Sequence, residues 1–94
     1  MSRLIADDLV SRRLAACVSL IPGVQSVYEW QGRLEHNLEV QLMIKTTAAA
    51  YSALETRIRV LHPYEVPECL AIRVERGASD YMDWVRAEVT PVEV

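Results

Sequence analysis

The chain has 94 residues, with 10 Lys plus Arg against 13 Asp plus Glu for a formal net charge of −3, and it is 51% hydrophobic and 24% charged. That balance excludes disordered and fibrous classes, and the acidic excess argues against a nucleic-acid partner, which calls for a clustered basic face. The length corresponds to one domain over residues 1–94, with a core thin enough that association with other copies would support it.

Residues 3–16 read as a helix. Ser2 can cap it, Asp7 and Asp8 lie in its early turns, and Ile5, Leu9, Val10 and Leu14 form an apolar stripe. Val18, Leu20 and Ile21 then thicken the apolar content before Pro22-Gly23 punctuates. Residues 24–30 resume as a strand, with Val27 on one face and Tyr28 and Trp30 on the other.

Residues 33–46 carry the clearest signal. Leu34, His36, Leu38, Val40, Leu42 and Ile44 alternate with Arg33, Glu35, Asn37, Glu39, Gln41, Met43 and Lys45, a period of two that identifies a long strand. Gln31-Gly32 between the two strands reads as a two-residue hairpin loop in which the glycine takes a positive φ. A strand of about twelve residues spans roughly 40 Å. A compact chain of this size has a radius of gyration near 12 Å and a diameter of roughly 32 Å. The hairpin therefore projects beyond its own body, and its apolar row and Trp30 call for burial against another subunit. An oligomer is expected.

Thr46 or Thr47 can cap a second helix with the stripe Tyr51, Leu54, Ile58 and Leu61, and Glu55 and Arg59 form an i,i+4 pair on its other side. Pro63 requires that helix to end by His62. After a stiff two-proline loop, Leu70, Ile72 and Val74 alternate with Ala71, Arg73 and Glu75 as a strand. Gly77 stops it, Ser79 caps a last helix with Tyr81, Trp84, Val85 and Glu88, and Thr90-Pro91 ends that helix. The order helix, strand, strand, helix, strand, helix is that of an α+β ferredoxin-like sandwich, an antiparallel sheet with helices on one face, lacking the usual first strand. Either the sheet closes with its final strand beside the preceding one, or a segment from elsewhere fills the slot.

The three glycines are isolated, so no phosphate-binding loop is present, and no nucleophile-elbow, zinc-peptidase or CxxC pattern occurs. The 62–68 loop is the best functional candidate. His62 beside Tyr64, Glu65 and Glu68 mixes an imidazole with oxygen donors and suits Cu(II), Zn(II) or Ni(II). The same residues also read as a helix-terminating loop with His62 over backbone carbonyls. Cys17 and Cys69 read as small buried hydrophobes or as soft metal ligands. His36, on the apolar row, reads as a packed or interface histidine. Tyr28 and Trp30 read as inter-subunit anchors, since no basic groove accompanies them. Glu39 and Lys45 share a strand face, which is either solvated or lines a cleft between subunits. A lysine near a carboxylate would also permit acid–base chemistry with His62, although nothing names a substrate. Two cysteines, no secretory pattern at the start and no span-length apolar run lead to the expectation of a cytoplasmic protein without membrane contact.

Four blocks in order, LAACVSLIPGVQSVYEWQGRLE, LEVQLMIKTT, HPYEVPE and SDYMDWV, resemble the divalent-cation tolerance protein CutA family over residues 14–85. The resemblance implies a ferredoxin-like fold, a homotrimer built by the long hairpins, a cytoplasmic location and a role in tolerance of divalent cations. It also implies copper binding and no established enzymatic activity. Of the family's metal residues only His62 is present, because the first-strand cysteine has no counterpart and Cys17 matches a different block. Met1 falls inside the family's first helix. Trp30, Glu39, Lys45, His62, Tyr64 and Glu68 match the family's inter-subunit cleft, where a metal ion or small molecule would bind.

Overall fold

The structure is a computed structural model and describes residues 1–62 and 66–90. Helix α1 (Ser2–Ser11) begins at Met1 without a side-chain cap, so Ser2 lies inside the helix rather than capping it. It ends five residues earlier than the apolar spacing predicts. Arg13 takes φ +60, the Leu14 N–H donates to the Leu9 carbonyl at 3.0 Å, and the Arg13 N–H donates to the Val10 carbonyl at 3.0 Å. This is a Schellman turn, with Leu14 closing on the core that holds Leu9. Glycine or asparagine usually signals such a turn, and arginine hides it. The Arg13 guanidinium donates to the Ala87 carbonyl at 2.8 Å and the Arg13 carbonyl accepts from Thr90 N at 2.9 Å, which joins the turn to the C-terminal helix.

Strand β1 (Cys17–Trp30) pairs antiparallel with β2 (Arg33–Lys45). Contrary to expectation, Pro22-Gly23 does not interrupt the first strand but bulges it. Ile21 faces Gln41 and Val24 faces Glu39, so two residues of β1 oppose Val40 alone. Proline is tolerated there because the bulge needs no ladder hydrogen bond from it, and Gly23 supplies φ +79. The hairpin turn has Gln31 at φ 51 and Gly32 at φ 78, the type I′ signature expected of a two-residue loop.

Thr47 starts a 3₁₀ turn (Ala48–Ala50) by accepting from Ala50 N at 3.3 Å, and α2 (Tyr51–Leu61) continues from it, ending before His62. Helix α3 (Ser79–Glu88) has Ala78 at the cap position instead of Ser79, and the Asp80 carboxylate accepts from Tyr81 N at 2.9 Å in its first turn. Ile5, Leu9, Ala15 and Leu54 form the main core, against which Val18, Leu42, Ile44, Ile58 and Leu61 pack from the sheet and α2. A second small cluster, Ala16, Ala50, Val85 and Val89, seats α3 at the root of the hairpin.

A further expectation fails. Residues 70–75 do not form a strand, and the sheet has two strands only among the described residues. The alternation of Leu70, Ile72 and Val74 is strand-like, but a strand exists only through a ladder partner, and neither edge of the hairpin supplies one here. The architecture is α+β, ferredoxin-like without its first strand. The final segment does not close the sheet by moving beside β2. The hairpin projects as its length requires: the molecule measures 45 × 27 × 22 Å with a radius of gyration of 14.8 Å, against about 12 Å for a compact chain of this length.

Asp8 clamps α1 to α2. Arg57 donates to both its carboxylate oxygens at 2.8 Å, and Arg12 adds a third bond at 3.0 Å. These guanidiniums, Arg57 foremost, hold the Asp8 pKa down from 3.8 to about 2. A depressed carboxylate contributes stability that is present above its unfolded pKa and lost as pH falls through the folded one. Urea titrations of wild type and Asp8→Asn should thus differ by a constant amount above pH 4, with the gap closing between about pH 4 and 2. A gap that persisted at the acid end would remove Asp8 as the clamp.

Candidate functional site

The two faces of the hairpin have different chemistry. Cross-strand pairing puts Val18, Leu20, Leu42 and Ile44 on the face that meets the helices, continued distally by Leu38, Val27, His36 and Leu34. The opposite face carries Cys17, Ser19, Lys45, Met43, Glu39, Ser26, Asn37, Tyr28 and Trp30. The expected site residues Trp30, Glu39 and Lys45 therefore share one surface. The half-buried Lys45 ammonium donates to Ser19 Oγ at 2.6 Å and to the Met43 carbonyl at 3.2 Å. The Glu39 carboxylate accepts from Ser26 Oγ, and Tyr28 meets Asn37 by a side-chain hydrogen bond. Sharing a face does not bring these groups together, however. At about 3.3 Å per residue, Lys45 and Glu39 are separated by roughly 20 Å, and Trp30, opposite Arg33 at the tip, lies a similar distance beyond Glu39.

His62 caps the end of α2, with its N–H donating to the Ile58 carbonyl at 2.8 Å. The helix thus ends by His62, as Pro63 requires. Glu68 is exposed. Tyr64 and Glu65 lie outside the described residues. Among the described residues no three of His, Cys, Asp or Glu converge on a point that could hold a metal ion. His36 is exposed on the distal hairpin.

Sequence reasoning missed two arrangements. Tyr51 reaches across to Cys69, donating to its carbonyl at 3.3 Å with Sγ at 3.8 Å. Hydrogen bonding with Glu55, and then with Cys69, raises the Tyr51 phenol above its usual 10.0. Tyr51 is therefore a tether for the segment after the 62–68 loop, and its stripe position on α2 was the only available signal. Beside Arg12 and Arg57, a shallow concavity of about 590 Å³ is lined by Leu14, Ser52, Ala53, Thr56 and Val60. Its guanidiniums are committed to Asp8, which leaves little charge to recruit an anion.

The profile of the CutA1 divalent ion tolerance protein family matches residues 1–88. The divalent-cation tolerance protein CutA of Thermus thermophilus is 45% identical over 86 residues, 92% of this chain and 84% of that protein. The human protein CutA is 50% identical over 82 residues, 87% of this chain and 46% of that one, so the chain spans about half the length of this animal relative. Among solved structures, the Thermus thermophilus divalent cation tolerance protein superposes with a TM-score of 0.92 at 44% identity, covering 95% of this chain and 86% of that one. A PII-like protein CutA from Nostoc sp. PCC 7120 gives 0.89 at 38%, covering 96% and 88%. A CutA from Archaeoglobus fulgidus described as periplasmic gives 0.91 at 30%, covering 95% and 86%. No helix among the described residues is long and apolar enough to cross a membrane. With its profile match across almost the full length and identities near half, this chain belongs to the CutA family of divalent-cation tolerance proteins.

Proposed function

We propose that this protein is a cytoplasmic homotrimer serving tolerance of divalent cations, copper foremost. In this reading it holds a metal ion or small ligand in clefts between protomers and catalyses no reaction. The observation that carries the reading is the spacing of Trp30, Glu39 and Lys45 on one hairpin face: groups about 20 Å apart along a strand share a ligand only if neighbouring copies interleave them. The projecting hairpin supplies the means, because Val27, Leu34, Leu38 and Val40 extend the apolar row beyond the protomer's own core and leave it exposed. In this arrangement His62 is the nitrogen ligand, with Tyr64 two residues and Glu68 six residues further along the sequence.

Calorimetric titration of Cu(II) into the assembled wild type and into His62→Ala tests the ligand role. A loss of affinity of at least tenfold in the variant is expected; superimposable isotherms would eliminate His62. A second reading is a signalling trimer without metal, favoured by the PII-like description of the Nostoc neighbour. For it, thermal shift should be silent across divalent cations while a metabolite panel yields a hit.

A further inference from the structure

Of the two histidines, His36 is the one the proposed site leaves unused, and its surroundings are apolar. Val27 lies opposite it across the hairpin, and Leu34 and Leu38 flank it on the same face; these three are 62%, 67% and 75% exposed. His36 is itself exposed and lines a shallow concavity of about 350 Å³ with Gln25, Ser26, Val27, Asn37 and Leu38. Among the described residues, the only charged group on that face of the distal hairpin is Glu29, which is opposite Leu34 and diagonal to His36. The two form no ion pair. Arg33, Glu35 and Glu39 alternate to the other face. The helices meet the hairpin at its root, around Ala16, Val18, Leu42 and Ile44, so none of their charged groups packs against this imidazole.

In a separate protomer, water solvates either form of this ring. Once a second copy covers the apolar row, the imidazole sits among Val27, Leu34 and Leu38 with one carboxylate on its face. A neutral ring is accommodated there, whereas an imidazolium gives up its hydration for little return. Separate protomers therefore bind more protons than assembled ones. By linkage, assembly is favoured at high pH and weakened as pH falls. We propose that His36 is a pH-sensitive gate on self-association: copies join through the distal hairpin with the imidazole neutral, and its protonation releases them. This inference rests on the oligomeric reading above and adds to it a means of control. Histidine is the side chain whose charge ordinarily changes between about pH 5 and 8. Each imidazole covered changes the association constant by up to about tenfold per pH unit.

Sedimentation equilibrium at about pH 8 and about pH 5.5, from micromolar to nanomolar protein, tests it. The wild-type dissociation constant should rise at least tenfold at the lower pH while circular dichroism is unchanged. His36→Leu, at a site exposed in the protomer, should assemble at least as tightly as wild type at the higher pH and lose the pH response. Glu29→Gln should enlarge the response, because its carboxylate is the one charge on that face that offsets an imidazolium. A pH response in His36→Leu equal to that of wild type places the titration elsewhere and overturns the gate. A wild type whose association is unchanged or tightened at the lower pH, including one that stays assembled to nanomolar concentration at both, also overturns it. Those results leave the oligomer standing. A wild type that is monomeric at micromolar concentration at both pH values overturns the oligomeric reading and the gate with it.

Discussion

Shortening Leu9 to Ala should lower the unfolding free energy by about 3 kcal/mol, with a fall in Tm of roughly 10–20 °C. Leu9 is the largest wholly buried side chain, at 0% exposure, in a core otherwise made mostly of alanine and single branched residues. It is packed between Ile5 on its own helix, Ala15 beyond the Schellman turn and Leu54 of α2. Few neighbours can move in to fill the void, because α2 is held by the Asp8–Arg57 clamp and the turn is fixed by its hydrogen bonds. The control is Leu4→Ala on the same helix: Leu4 is 70% exposed and should change stability by less than about 0.5 kcal/mol. Urea denaturation of both variants reads the difference, and equal effects would relocate the core.

The second large effect concerns assembly. Leu34→Lys combined with Leu38→Lys should convert the proposed oligomer to a monomer in light scattering while leaving the helical circular dichroism signal intact. The two leucines are 67% and 75% exposed in the protomer, so the protomer's own core does not depend on them. Burying a leucine contributes about 1.5–3 kcal/mol. Losing both from each interface therefore weakens association by a factor of roughly 10² to 10⁴. An unchanged mass for the double variant would mean that copies associate through some surface other than the projecting hairpin.

Much of the fold was legible because local rules act alone in these places. Strict alternation from Leu34 to Ile44 can only be satisfied by a strand with two unlike faces, and the structure shows those faces. Gln31-Gly32 closes the hairpin because both residues reach positive φ. The Glu55–Arg59 pair forms at 3.5 Å as helical spacing requires. The end of α1 was not legible, since Arg13 occupies a left-handed position that composition assigns to glycine. Its reward is tertiary: bonds to Ala87 and Thr90 at the far end of the chain. Pro22-Gly23 looked like a boundary and is a bulge, because β2 continues opposite it and carries the ladder across.

The candidate site divides in the same way. Residue types and strand parity were enough to group Trp30, Glu39 and Lys45 on one face and to single out His62 at a helix end. Their separation along that face came from the register, which places each at its own depth on a strand longer than the body it leaves. Residues 70–75 make the sharpest contrast. The sequence by itself determined that this segment favours an extended, alternating conformation and that the long hairpin exceeds its domain. Only the tertiary structure decided that the segment stays unpaired in the protomer. Strand propensity is a property of residues, whereas a strand is a property of two backbones, and the second backbone is not read from the first.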